Sequence, residues 1–137
     1  MMVSANVWRR VFLVKGVYNV AVSLAMLLWP TKLLPLAGAP TDNLTYAMLF
    51  LWVALACGVG YLIVGCDVDA NHGVVVLGII GQAAVFGVSA WYWLKGLVYA
   101  VGLVFGVIDL TFAIAFAIFL WTYAYRIPGP APAKGAP

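Results

Sequence analysis

A chain of 137 residues that is 66% hydrophobic and 8% charged, with a mean hydropathy of +1.10, carries more apolar surface than a soluble domain of its size can bury. Lipid must therefore be its outer solvent, and the length allows one domain. The formal charge of +3 comes from seven basic and four acidic residues scattered along the chain, with no like-charge run longer than Arg9-Arg10, so no nucleic-acid partner is expected.

Taken in chain order, Arg9 and Arg10 precede an apolar stretch that superficially resembles the start of a secretory signal. Residues 11–29 are longer than a signal core, contain Lys15 and Asn19, and reach Pro30 without an A-x-A site. They read as an uncleaved first span. A spanning helix needs about 20 mostly apolar residues to cross ~30 Å of hydrocarbon with its backbone satisfied internally. Residues 11–29, 46–64, 74–94 and 97–125 meet that requirement, and the last is long enough to tilt or project. The expected fold is all-α, an integral membrane four-helix bundle over residues 1–126, followed by a Pro/Gly/Ala tail at 127–137 with nothing to bury and so expected to be disordered.

The connections differ in character. Pro30, Pro35 and Pro40 break up the first, which reads as a loop on the membrane surface. The stretch from Cys66 to Gly73 is polar and turn-like, and Lys95-Gly96 is short enough to make the last two helices a tight antiparallel hairpin. Four spans place both termini on one side. Arg9, Arg10, Arg126 and Lys134 flank those ends, against Lys32 and Lys95 opposite, so both termini are expected in the cytoplasm, in a bacterial inner membrane. Trp8, Trp29, Trp91, Tyr92, Trp93, Tyr123 and Tyr125 lie near span ends, as interfacial anchors would. The pairs Ala54/Gly58, Ala56/Gly60, Ala83/Gly87 and Gly102/Gly106 form small-residue stripes that let helices approach closely, within one chain or in a homo-oligomer. Cys57 and Cys66 are nine residues apart on one helix, roughly 13 Å, too far to bridge. They read as small packing residues, with no structural zinc site or dithiol pair implied.

The residue most out of place is Asp109, because a carboxylate in hydrocarbon costs several kcal/mol unless it is paired, protonated or hydrated. It must face the bundle interior. Lys15, placed near the end of the 11–29 span, is expected to snorkel to the interface. That leaves Asn19, Gln82 and Thr111 as uncharged partners, with Asp109 neutral and donating to Gln82 or Asn19. Asp109, Gln82 and Asn19 are accordingly the candidates for a ligand pocket or a proton path. Gln82 and Asn19 also have a purely structural reading as interhelical glue.

A second constellation is Asp67-Val-Asp69-Ala-Asn71-His72-Gly73. Its alternating oxygen ligands invite comparison with a calcium loop, but the glycine falls one place late and the closing acid position is Gly78. Asp69 or Asn71 is better placed to cap the third helix. Asp67, Asp69 and His72 remain candidates for a partner-binding loop, with a weak metal site as the lesser alternative. Catalytic and cofactor motifs are not found: there is no phosphate loop, dinucleotide fingerprint or nucleophile elbow, and a single histidine cannot ligate paired haems.

The run Gly16-Val-Tyr-Asn19, then Trp29-Pro30, Leu33-Leu34, Gly60-Tyr61-Leu62, Asp67 to His72, Gly78 to Gln82 and Asp109-Leu110 resembles small bacterial four-span proteins that are broadly DoxX-like. The resemblance extends over nearly the whole chain and implies the four-span topology. From the residues, the expected function is non-enzymatic: a small membrane protein that binds a membrane partner, as an accessory subunit, or a lipid or quinone-type ligand. The alternatives are a proton-coupled transporter using Asp109, and an intramembrane isomerase or cyclase with Asp109 as general acid.

Overall fold

The computed structural model describes residues 4–39 and 44–125. Arg126, Lys134 and the 127–137 tail lie outside the described residues. The helices are α1 (Ala5–Leu28), α2 (Pro30–Leu36), α3 (Leu44–Cys66), α4 (His72–Leu94) and α5 (Ala100–Phe119), the last continuing as a π-helical turn over Leu120–Ala124. No strand occurs among the described residues. α1, α3, α4 and α5 with its π turn are each long and apolar enough to cross a membrane. The chain is thus an all-α, four-helix, multi-pass membrane protein.

Two boundaries differ from the sequence reading in ways that matter. α1 begins at Ala5, not at residue 11, because Ala5, Arg9 and Arg10 are good helix formers and Trp8 has a core to enter. The 30–40 segment is not all loop. Pro30 takes the first position of α2, where its missing N–H would have had no intrahelical partner. The helix stops in a Schellman turn, with Gly38 at φ 77°, the Gly38 N–H on the Pro35 carbonyl at 3.0 Å and the Ala39 N–H on the Leu34 carbonyl at 2.9 Å. The same device ends α4: Gly96 has φ 69°, and the Gly96 and Leu97 N–H groups bond Trp93 and Tyr92. A side chain at either glycine would strain the turn.

The bundle is built from two close pairs. α1 and α3 run antiparallel along a glycine seam: a Cβ on Gly58 would lie 2.9 Å from Asn19 Cβ, one on Gly16 2.7 Å from Leu62, and one on Gly65 2.8 Å from Leu13. α4 and α5 meet at Gly106, where a Cβ would lie 3.0 Å from Ser89. Gly87 faces open space and Ala83 is exposed, so that stripe is not used for packing within the described chain. Gly102 also departs from the stripe, since its nearest neighbours are Val98 and the Ala37 carbonyl.

Larger side chains join the two pairs, and they do so unevenly. Toward the end holding the start of α1 and the α3–α4 turn, Trp8, Phe12, Tyr61, Val64, Val75, Phe116 and Phe119 form one buried cluster. Phe12 lies 4.6 Å from Phe116 and 4.9 Å from Phe119 between ring centroids, and Trp8 meets Phe119 edge-on at 5.4 Å. Trp8 is therefore a core residue, not the interfacial anchor its position implied. Trp29, Trp91, Tyr92, Trp93 and Tyr125 are exposed, as anchors require. Toward the opposite end, among the described residues, the buried large hydrophobics are Leu34 and Leu51. Buried aromatic rings fill one end of the bundle, and few large side chains are buried toward the other.

Candidate functional site

Because α1 starts at Ala5, Lys15 is ten residues into the helix, ~15 Å from its end at ~1.5 Å per residue. Asp109 is nine residues into α5 from the opposite end, ~14 Å by the same rise. The two residues therefore reach the same depth, about the middle of a ~30 Å hydrocarbon layer, and there the Lys15 ammonium donates to Asp109 Oδ1 in an ion pair. Lys15 is 0% exposed and the Asp109 side chain 19%. The expectation that Lys15 snorkels is overturned: it points inward, since its helix places it too deep to reach the interface while a carboxylate faces it. The expectation that Asp109 lacks a cation falls with it.

The rest of the Lys15 head group is enclosed by rings. Its Nζ lies 5.0 Å from the centroid of Tyr18 and 5.1 Å from that of Phe112, within the range where ring quadrupoles attract a cation. Sequence reasoning missed these neighbours. Tyr18 and Phe112 each sit three residues from a member of the pair, one helical turn away on the same face, and that spacing could have found them.

The sequence grouped Asp109 with Gln82 and Asn19, but among the described residues none of the three hydrogen-bonds another. The Asn19 amide reaches the Ala54 carbonyl at 3.4 Å, which ties α1 to α3 along the glycine seam. Gln82 donates from Nε2 to the Tyr61 hydroxyl at 3.0 Å, and its Oε1 is buried without a partner. Thr111 bonds back to the Val107 carbonyl at 2.9 Å. Gln82 and Asn19 are thus interhelical links, and Asp109 is separately engaged.

Toward the end away from the aromatic cluster lies an apolar groove of about 330 Å³ lined by Val22, Ala25, Met26, Leu33, Leu36, Ala37, Val101 and Phe105. Its walls are α1 and α5, and α2 covers its outer end. Phe105 is one turn before Asp109 on α5, and Val22 is two turns after Lys15 on α1, so each wall continues along the same face into one member of the pair. Neither Lys15 nor Asp109 lines the groove itself; they follow it along α1 and α5, and the aromatic cluster lies beyond them.

The Asp67–His72 loop has a different organisation. Asp67 Oδ1 accepts the Asp69 N–H at 3.1 Å, Asp69 Oδ1 accepts the Tyr123 hydroxyl at 2.9 Å, and the His72 Nε2 is 3.0 Å from the Val68 carbonyl while its ring packs on Phe119. No group of three His, Cys, Asp or Glu side chains among the described residues can hold a metal ion. The expected cap does not form either: Asn71 is left-handed at φ 61° and makes no side-chain bond to the helix start. The loop's side chains fasten it to α5 instead. Cys57 and Cys66 are free and exposed, not packed in the core.

The chain is thus a four-helix membrane protein with opposite charges paired inside the bundle. No protein-family model matches the chain, and comparison with curated proteins and with solved structures gives no match.

Proposed function

We propose that this protein binds a lipophilic ligand in the groove between α1 and α5, with the ligand's polar end at Lys15 and Asp109. The observation that supports this is the succession of the two features along the same helices: an apolar groove of ligand-pocket size is walled by Phe105, one turn before Asp109, and Val22, two turns after Lys15, and Asp109 and Lys15 form the ion pair found among the described residues. A purely structural ion pair would be closed on every side, whereas Asp109 keeps a fifth of its side chain accessible. The activity is non-enzymatic, and the DoxX-like resemblance is retained as a proposal about topology. The setting is a bacterial inner membrane with both termini cytoplasmic, supported by the exposed Arg9 and Arg10 at the aromatic end.

Thermal unfolding in detergent tests the reading. Lipid fractions extracted from the native membrane are added to the wild type and to Ala25→Phe, which fills the groove. A ligand present at 100 times its Kd stabilises by about 2.7 kcal/mol, so one fraction raises the wild-type Tm and leaves the variant unmoved. Equal gains in both proteins would place binding elsewhere.

A second reading, a proton-coupled carrier built on Asp109, is favoured by the pair's mid-membrane position, since intramembrane charges mark ion and proton paths. It requires the aromatic cluster to open alternately with the groove. Loss of flux in proteoliposomes on Asp109→Asn, with fold and assembly unchanged, is its test.

A further inference from the structure

We infer that the Lys15–Asp109 ion pair is a latch that sets the spacing of two otherwise separate helix pairs, and with it the width of the groove between α1 and α5. α1 packs along α3 and α4 along α5, whereas α1 and α5 scarcely approach backbone to backbone. The close approaches that need glycine show the same division: Gly16, Gly58 and Gly65 lie between α1 and α3, and Gly106 between α4 and α5.

Among the described residues, the two helix pairs are joined by a series of side chains that begins near the α3–α4 turn. Trp8 and Phe12 of α1 meet Phe116 and Phe119 of α5. Tyr61 of α3 meets Phe116 and accepts a hydrogen bond from Gln82 of α4, and a Cβ on Gly78 would lie 2.8 Å from the Tyr61 ring. Lys15 and Asp109 stand last in this series: Lys15 is three residues past Phe12 along α1, and Asp109 seven residues before Phe116 along α5, both away from the turn. Farther on, Val22, Ala25 and Met26 of α1 and Val101 and Phe105 of α5 border the groove, and the far end is spanned by the short α2, whose terminal Gly38 abuts the Tyr99 ring. The ion pair thus stands between a filled aromatic end and an open groove.

The chemistry suits a latch. A buried ion pair recovers in attraction about what its desolvation costs, so its net contribution to stability is small, and setting registry is the best-attested use of such a pair. Its attraction is strongest at ~2.7–2.9 Å and in one geometry, whereas apolar side chains in its place meet at ~3.5–4.0 Å in any of several arrangements. The difference is about 1 Å. With the aromatic layer at Phe12 as pivot, Lys15 is three residues along α1 and Leu24 twelve, so an opening of ~1 Å at the ion pair becomes ~4 Å at Leu24. The groove has one wall on each helix pair, so it widens as the two charges separate.

Double electron–electron resonance between nitroxide labels in nanodiscs tests this, in a chain carrying Cys57→Ala and Cys66→Ala. Three label pairs use exposed positions: Leu24 with Val104 across the groove end, Val7 with Trp121 across the aromatic end, and Leu24 with Val53 within the α1–α3 pair. In Lys15→Met/Asp109→Leu the Leu24–Val104 separation is expected to lengthen by ~4 Å while the other two stay within ~1 Å. The charge swap Lys15→Asp/Asp109→Lys restores the attraction and is expected to restore the wild-type separation. An unchanged Leu24–Val104 separation in the double variant, or a swap as wide as that variant, would overturn the latch. Equal lengthening of all three separations would overturn it as well, because it reports general loosening. None of these distances depends on a ligand, so the groove reading is judged separately by thermal unfolding.

Discussion

Replacing Asp109 by leucine strands a fully buried ammonium between Tyr18 and Phe112, far from either interface. Breaking a buried ion pair by removing one partner costs ~3–5 kcal/mol, because the remaining charge loses its compensation without regaining water. Lys15→Met keeps the length of the stem and strands Asp109 instead. Asp109 retains its accessible fifth, so this cost falls at or below the lower end, about 3 kcal/mol. The double variant Lys15→Met/Asp109→Leu removes both charges and lies within about 1 kcal/mol of the wild type, since apolar replacement of a whole pair is often neutral or stabilising. Reversible unfolding of the four proteins in bicelles, followed by steric trapping, reads these values directly. At ~1.4 kcal/mol per decade, Asp109→Leu unfolds at least a hundredfold more readily and Lys15→Met up to about a hundredfold. Additive destabilisation in the double variant, or single effects below about 1 kcal/mol, would refute the pairing.

Gly58→Val is expected to loosen α1 from α3 by about 1–3 kcal/mol, because its Cβ lies 2.9 Å from Asn19 and 3.0 Å from the Val20 backbone. Gly87→Ala, with open space around it, stays within about 0.5 kcal/mol, and the same unfolding assay ranks the two. Gln82→Leu removes the bond to Tyr61 but also an unpartnered buried oxygen, so its cost is below about 1 kcal/mol. A loss above 3 kcal/mol would mean that Gln82 holds more than this link. Cys66, exposed at the end of α3, reacts with a membrane-impermeant maleimide, whereas Cys57, exposed at mid-span, reacts only with a lipophilic one. Labelling of Cys66 in inverted but not right-side-out vesicles reports a cytoplasmic aromatic end, and the reverse pattern would contradict the proposed orientation.

Four long apolar runs and the turn residues between them were enough to read the fold, because span length and backbone satisfaction leave few alternatives. The site was half legible. Asp109 stood out as a carboxylate in hydrocarbon, but its partner was misplaced by one boundary: a first span begun at residue 11 put Lys15 near the interface, and a helix begun at Ala5 puts it at the centre. The depth of a charge in a membrane helix depends on where the helix starts, and propensity places that boundary only loosely. Lys95-Gly96 marked the end of α4, whereas α2 was read as loop because its prolines were taken as breaks. The groove was not legible at all, since it arises from the uneven distribution of Phe12, Phe116 and Phe119 across two helix pairs, which appears only once their register is known.

The most direct test of ligand binding is native mass spectrometry of the protein released gently from its own membrane. The account predicts a bundle carrying one small lipophile that is lost in Ala25→Phe. A bare bundle, or one holding a stoichiometric protein partner and no small molecule, would contradict it.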